Sequence, residues 1–278
     1  MFYLSSFAQQ EKYSYEFHDI LESTNLYAKQ LIQDAADDVS ERYYDKHWIV
    51  AGAQTSGKGR RGRSWFSPKG NLYTSLILIE GESLNALNAI RHIADLSFVS
   101  SISLIETFKK MAYIYQPKLE EYFFLKWPND VLFQKAKIAG SLLEIVKLKK
   151  NNGLIIGMGA NILAKLERPN YLTACLHENG ILCTAEEFFS VLSHRWAVNF
   201  TLWQNGIGKE KIRRKWLSSA AGLGEKIFVK VNEEEISGIF QDIDSDFSLN
   251  LYQKDGIIKK ISSGDVFLEN IQSLSCGD

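Results

Sequence analysis

Gly57-Lys-Gly-Arg-Arg-Gly-Arg-Ser-Trp65, followed by Phe66-Ser-Pro-Lys-Gly70, is the stretch on which the fold turns. Its first seven residues hold three glycines and four cations, in a chain whose formal net charge is only -1. Glycine lets backbone approach a ligand closely, and arginine presents a planar fork of donors to carboxylate or phosphate oxygens, so the stretch predicts a clamp for a small anion. Gly57, Gly59 and Gly62 satisfy GxGxxG, and Gly57, Gly62, Arg63 and Ser64 miss the P-loop pattern only because Arg63 stands where lysine is required. Both motifs need a helix directly after the glycines, so that its first amides meet the phosphates. Here turn chemistry leads instead into Asn71-Leu-Tyr-Thr-Ser-Leu-Ile-Leu-Ile79, a strand-like run. The flanks exclude both nucleotide folds. Taken alone, the stretch leaves a solvated basic loop or a nucleic-acid patch open.

On the N-terminal side, residues 13–20 predict a strand, and residues 47–53 a second, buried one. Between them Ser23 or Thr24 is placed to cap a helix with Leu26, Leu31 and Ile32 on one side. On the C-terminal side, Ile90, Ile93, Leu96, Val99, Ile102, Leu104 and Phe108 recur at roughly helical spacing and predict the longest helix over 89–111. Strands at 122–127, 138–146 and 154–162 and helices at 185–203 and 209–217 follow. The small, glycine-containing segment 218–224 marks a break. Beyond it, short alternating strands at 226–231, 235–243, 249–252 and 257–261, the last after a Lys254-Asp-Gly256 turn, predict a small β-barrel. The expected architecture is α+β, a mixed-sheet domain over 1–220 and a β domain over 221–278.

With 278 residues, 45% hydrophobic and 23% charged, the chain has room for one large core and a small second domain. Cys175, Cys183 and Cys276 are scattered and odd in number, which argues against a disulfide framework and for a reducing compartment. The N-terminus lacks a basic segment, and no apolar run approaches the roughly 18 residues of a membrane span, so a cytoplasmic protein without a membrane partner is expected. His18, His47, His92, His177 and His194 show no zinc spacing with the cysteines, and there is no GxSxG.

Five blocks run in order along the chain: Glu22-Ser-Thr-Asn25, Gln54 to Trp65, Lys126-Trp-Pro-Asn-Asp130, Lys137-Ile-Ala-Gly140 and Gly157-Met-Gly-Ala-Asn161. In type, order and spacing they resemble the signature set of biotin protein ligases, over residues 14–267. The resemblance implies a class II synthetase-like catalytic domain with a mixed sheet and an SH3-like C-terminal barrel. It also implies a reaction: biotin and ATP, with Mg2+, give biotinyl-5'-AMP and pyrophosphate, and a lysine of a biotin carboxyl carrier protein then takes the biotinyl group. Only 22 residues precede Ser23, against on the order of 60 for a winged helix-turn-helix, so the ligase-only form with no DNA partner is expected. Homodimerisation is left open.

Two anions must meet in the activation step, and their contact repulsion, about 1 kcal/mol in water, is several times larger in a protein site. By the resemblance, Lys137 lies between carboxylate and α-phosphate and is the expected catalytic residue, with Arg60. Lys58, Gly59 and Arg60 are expected at the acid end of the intermediate, and Ser23, Thr24, Asn25, Gln54 and Gly140 around biotin. Gly57, Arg60, Arg63, Trp65, Lys126, Asn129 and Asn161 fall to ATP and the adenylate. Lys58 stands where many members have Arg, which keeps the charge and gives up the fork. Asp130 has three possible jobs: orienting or deprotonating the carrier lysine, assisting magnesium, or shaping the local turn. No magnesium ligand is assigned. Structural alternatives are a plain strand lysine at 137, a simple helix cap at 23–25, and core aromatics at Trp65 and Trp127. The loop at 57–63 is expected to order only when an anion neutralises it.

Two rival functions remain. A lipoate or octanoate protein ligase is disfavoured by the arginine-rich loop and by Lys-Trp-Pro-Asn-Asp. A non-enzymatic nucleic-acid binder is disfavoured because residues 233–246 carry Glu233, Glu234, Glu235, Asp242, Asp244 and Asp246 and no Lys or Arg.

Overall fold

A strand covered on both faces reads as a near-continuous apolar run, and residues 72–79, interrupted only by Thr74 and Ser75, are buried throughout. In the computed structural model, which describes residues 1–35, 44–84, 93–149, 151–167, 172–232 and 234–268, they form the third strand of a seven-stranded sheet. The strands are β1 (Ser14–His18), β2 (His47–Ala51), β3 (Leu72–Ile79), β4 (Phe123–Lys126), β5 (Asp130–Phe133), β6 (Ala136–Lys147) and β7 (Asn152–Ala160). Their order is β1-β2-β3-β7-β6-β5-β4, with β1 and β2 parallel and every other pair antiparallel. The expected mixed sheet is present.

Side-chain alternation divides the core into two. Trp48, Val50, Leu76, Leu78, Leu154 and Ile156 join the large cluster with α3 (Ile93–Tyr115) and α4 (Ala185–Trp203). Ile49, Ile77, Ile79 and Ile155 point the other way, onto Ala28 and Ile32 of α2 (Thr24–Ala35). A short α1 (Ser6–Gln10) and α5 (Lys209–Leu217) complete the helices described. Thr184 and Glu187 form a capping box that starts α4, and α3 ends at Tyr115, so that Gln116, the residue restricted by Pro117, is already non-helical. Of the helix expected at 89–111, residues 89–92 lie outside the described residues, as do His92, Glu233 and Cys276.

The C-terminal part is an antiparallel sheet of β8 (Lys226–Val231), β9 (Glu234–Ile243), β10 (Leu249–Tyr252), β11 (Ile258–Ile261) and β12 (Asp265–Leu268), in the order β11-β10-β9-β8-β12. It is stitched to the first sheet. Leu125 donates its N–H to Ser219 O at 2.7 Å and accepts from Ala221 N at 2.8 Å. The Trp127 indole N–H donates to Phe247 O at 3.0 Å, while Phe247 packs on Phe98 with ring centroids 4.3 Å apart. Trp127, 2% exposed, is therefore a core aromatic at the seam between the sheets. Among the described residues no helix is long and apolar enough to cross a membrane.

One buried amide fixes the chain beside the site. Asn71 Oδ1 accepts from the amides of Ile162, Leu163 and Ala164 at 2.9, 2.9 and 3.0 Å, and Nδ2 donates to Ala164 O at 2.8 Å. Asn71→Ala strands these groups without partners, and is expected to lower unfolding stability in urea by about 2–4 kcal/mol. Two-state denaturation curves of the variant and the parent protein check this; superimposed curves would refute it.

Candidate active site

The arginine-rich stretch lies between antiparallel neighbours, β2 and β3. No strand-to-helix crossover follows the glycines, in agreement with the reading of their flanks. Within the loop, Gly59 N donates to Arg63 O at 2.7 Å and Trp65 N to Gly57 O at 2.8 Å, so the stretch folds back as a miniature hairpin. Its tip is a single 3-10 turn, Arg60–Gly62, where Arg61 (φ 56°) and Gly62 (φ 73°) are left-handed. Gly62 adopts that conformation freely; Arg61 does so against the preference of residues with a Cβ.

Three strands supply the other wall. Across the β4–β5 hairpin Lys126 is registered with Asp130, and across β5–β6 Asp130 is registered with Gly140. The register places these positions in one row, and Gly140 leaves room above it. A Cβ there would sit 3.0 Å from Asp130 Oδ1 and 3.1 Å from Lys137 Cε. Lys137, three residues earlier, passes through that space, and its Nζ lies 2.7 Å from Asp130 Oδ1. The spacing of Lys137-Ile-Ala-Gly140 is thus a steric requirement. Lys126 Nζ lies 3.7 Å from the other oxygen, Oδ2.

Burial by itself would raise the Asp130 carboxyl, but Lys137, Lys126 and Arg60 outweigh it and hold the group below the ordinary aspartate value. Burial likewise pushes the Lys126 ammonium down, with Asp130 opposing. It also lowers Arg60, with the charges of Asp265 and Asp130 opposing. Asp130 is ionised at neutral pH and sits among cations.

The cavity between loop and strands measures about 260 Å3, and its wall includes every residue expected for the site except Gly57. On the α2 side, Ser23 Oγ accepts the Leu26 amide at the helix start, and Thr24 directs its N–H and hydroxyl to Gln54 Oε1 at 2.9 and 3.2 Å. Asn25 Nδ2 donates to Glu144 Oε2 at 2.6 Å, and Ser75 Oγ donates to Asn25 Oδ1 at 2.6 Å. On the strand side, Asn129 Oδ1 accepts from Arg60 Nη1 at 3.1 Å and its Nδ2 donates to Ser141 O. Asn161 Nδ2 donates to Ala174 O at 3.1 Å. These amides, expected to read the nucleotide, are engaged within the chain, and Asn129 positions Arg60. Lys58, Gly59, Arg63 and Trp65 lie on the loop wall, with Lys137 Nζ 5.2 Å from the Trp65 ring centroid.

Gly57 is placed apart from the cavity: a Cβ on it would lie 2.5 Å from Ser67 Oγ and 2.6 Å from Trp65 O, so glycine is there for the loop to close on itself. Sequence reasoning missed other positions. A Cβ on Gly157 would lie 2.2 Å from Asn25 Oδ1, and one on Gly159 2.7 Å from Trp65 Nε1, so the Gly-Met-Gly of β7 is a flat bed for two cavity side chains. Asp265 on β12 lies 2.9 Å from Arg61 Nη1 and 3.1 Å from Arg63 Nη2. The C-terminal sheet thus supplies a counter-charge to the loop, which the sequence reading assigns to a bound anion alone. Val266 and Phe267 beside it also line the cavity. The cavity wall as a whole sets Lys58, Arg60, Arg63, Lys126 and Lys137 against Asp130 and Asp265, an excess of positive charge suited to an anionic ligand.

Comparison with known proteins agrees with this geometry. Residues 21–161 match the model of the Biotin/lipoate A/B protein ligase family, and residues 222–269 that of the Biotin protein ligase C terminal domain. The biotin–[acetyl-CoA-carboxylase] ligase of Paracoccus denitrificans is 34% identical over 215 residues, 73% of this chain and 83% of that protein. The bifunctional ligase/repressor BirA of Escherichia coli is 27% identical over 259 residues, 91% of this chain and 73% of its own length. Among solved structures, the biotin protein ligase of Aquifex aeolicus in complex with biotin and ATP superposes with a TM-score of 0.72 at 27% identity, covering 92% of this chain and 98% of that one. The chain belongs to the biotin/lipoate A/B protein ligase family, as one of its biotin protein ligases.

Proposed function

We propose that this chain joins biotin to a lysine of a biotin carboxyl carrier protein, through biotinyl-5'-AMP. The observation that carries the reading is the cavity with five cations against two carboxylates, roofed by the glycine-arginine loop and opening beside a polar pocket at the start of α2. The biotin carboxylate oxygen attacks the α-phosphorus of ATP, the bond to the β-phosphate oxygen breaks, and pyrophosphate leaves. Lys137 and Arg60 offset the charge of the two reacting anions as they meet. The carrier amine then attacks the anhydride carbonyl, AMP departs, and the amine loses its proton.

Asp130 serves this scheme best as the group that aims Lys137. Held below its ordinary value between two lysines, it is a poor proton acceptor, which speaks against its acting as the base. Both of its oxygens face ammonium groups, and among the described residues no group of three or more His, Cys, Asp or Glu could hold a metal ion. The donor set does not fit a resident magnesium site. Mg2+ belongs instead with the nucleotide, as a counter-ion of its phosphates. Thr24, Asn25 and Gln54, each fixed by hydrogen bonds within the chain, form the preorganised polar wall suited to a ureido head.

The test is ATP–pyrophosphate exchange with purified protein, ATP and Mg2+, adding biotin, lipoate or octanoate in turn. Exchange that depends on biotin alone is expected. Exchange driven by lipoate or octanoate would place the chain with the other acid specificity of its family, and exchange with no acid would overturn the activation step.

A further inference from the structure

We propose that Glu144 is a positioning residue for the polar pocket at the start of α2: by fixing the Asn25 amide it sets the direction of a hydrogen-bonded relay, which makes the Thr24 hydroxyl an acceptor toward the ligand and selects a head group that donates N–H. The inference rests on the reading of the cavity as a biotin site. Strand β6 pairs regularly with β7 from Ala139 to Lys147, so Gly140, Leu142 and Glu144 share one face. Gly140 and Leu142 line the cavity; Glu144 does not, and lies one step further along the strand. There its Oε2 accepts from Asn25 Nδ2 at 2.6 Å. A carboxylate accepts and cannot donate, so it turns the amide NH2 toward itself and Oδ1 toward Ser75. The second acceptor for Nδ2, Leu142 O, is 3.4 Å away, too long to hold the amide alone.

Asn25 Oδ1 lies 2.6 Å from Ser75 Oγ and has no proton to give, so it takes the single hydroxyl proton of Ser75. Ser75 Oγ is also 2.8 Å from Thr24 Oγ1, and with its own proton committed it accepts there. From the other end, Ser67 Oγ donates to Trp65 O at 2.9 Å and accepts from Gln54 Nε2 at 3.0 Å, which turns Gln54 Oε1 toward Thr24. Thr24 Oγ1 thus stands between two acceptors, Ser75 Oγ and, at 3.2 Å, Gln54 Oε1, and its proton stays within the chain. Toward the cavity the hydroxyl presents lone pairs. A ureido N–H fits that surface, and a ring offering only acceptors does not. Thr24, Asn25 and Ser75 are buried, so a reversed amide would set donor against donor where water does not reach to repair the mismatch.

Glu144→Ala removes the directing acceptor, whereas Glu144→Gln keeps a carbonyl that can take the Asn25 proton. Calorimetric titration with biotin in the absence of nucleotide is expected to give a Kd about 5- to 20-fold weaker for Glu144→Ala, the size of one misdirected buried hydrogen bond, and within about 3-fold of the parent for Glu144→Gln. Glu144 is exposed, so the thermal midpoint should stay at the parental value, as should KM for ATP. In a Thr24→Val background, where the relay has no hydroxyl to orient, Glu144→Ala should cost nothing further. Parental affinity in Glu144→Ala, equal losses in the Ala and Gln variants, or a loss that adds to that of Thr24→Val would overturn the proposal and leave the functional reading in place, because the parent protein would still bind biotin. A parent protein that binds no biotin would overturn both.

Discussion

Lys137→Ala is expected to lower biotin-dependent pyrophosphate exchange by about 10²- to 10³-fold, the cost of removing one preorganised charge from a developing anionic centre. The loss should fall mainly on kcat, because the ammonium is needed most when carboxylate and α-phosphate are closest together. Stability should change little. Asp130 keeps Lys126 3.7 Å from Oδ2 and the field of Arg60, so truncation at 137 leaves no unpaired buried carboxylate. Lys137→Arg should not restore the rate. The lysine stem crosses Gly140 with only 3.1 Å between Cε and the position a Cβ would take, and a planar guanidinium is a poor substitute for a compact point charge there. The measurement is steady-state exchange with ATP and biotin varied separately, beside thermal unfolding. A variant with parental kcat would transfer the charge-stabilising role to Arg60 and overturn the assignment of Lys137.

What the sequence disclosed follows from how local each constraint is. The mixed sheet and the two-sided core come from continuous, largely apolar runs such as β2 and β3, short signals that survive without tertiary information. The cavity residues were legible because they sit in compact blocks, and the structure brings those blocks around one cavity. Other features were not. β4 was expected, at 122–127, but β5 is only four residues long and follows Pro128 closely, too short for a periodic signal, and its register against β4 sets Lys126 opposite Asp130. β12 is also four residues long and was not anticipated, so Asp265, more than 200 residues from Arg61, carried no sequence-level hint of its contact. The two glycines of β7 read as part of a motif, but their reason is steric, set by Asn25 and Trp65 arriving from elsewhere in the chain. The amide of Asn129 shows the same limit: its residue type fits a nucleotide contact, and its surroundings direct it to Arg60 and Ser141.

Asp130→Ala is expected to cost about 3–5 kcal/mol of unfolding stability, the usual result of deleting one partner from a buried charge group and leaving the other charges facing each other. Lys126 and Lys137 have side chains only 19% and 17% exposed, and in the variant both lose the carboxylate that lies between them. The pH dependence identifies the cause. The Asp130 carboxyl titrates below its unfolded value, near 3.9, so its stabilisation is complete above about pH 4–5 and is lost as pH falls through the lower folded value. The gap between the parent protein and Asp130→Ala should therefore be level from pH 5 to 7 and narrow in stronger acid. At the alkaline end the sign reverses origin. Burial already holds Lys126 below its ordinary value with Asp130 opposing, and removing Asp130 carries it lower. The unfolded chain then binds more protons than the folded one as Lys126 titrates, so the variant should regain stability as pH rises toward the ordinary lysine value. Urea unfolding at pH 3.5, 6 and 9.5 reads all three regimes, and millimolar pyrophosphate at pH 7 should stabilise the variant more than the parent by supplying the missing negative charge. A variant as stable as the parent at pH 6, or a deficit independent of pH, would mean that the lysines are solvated and that Asp130 does not hold them in place.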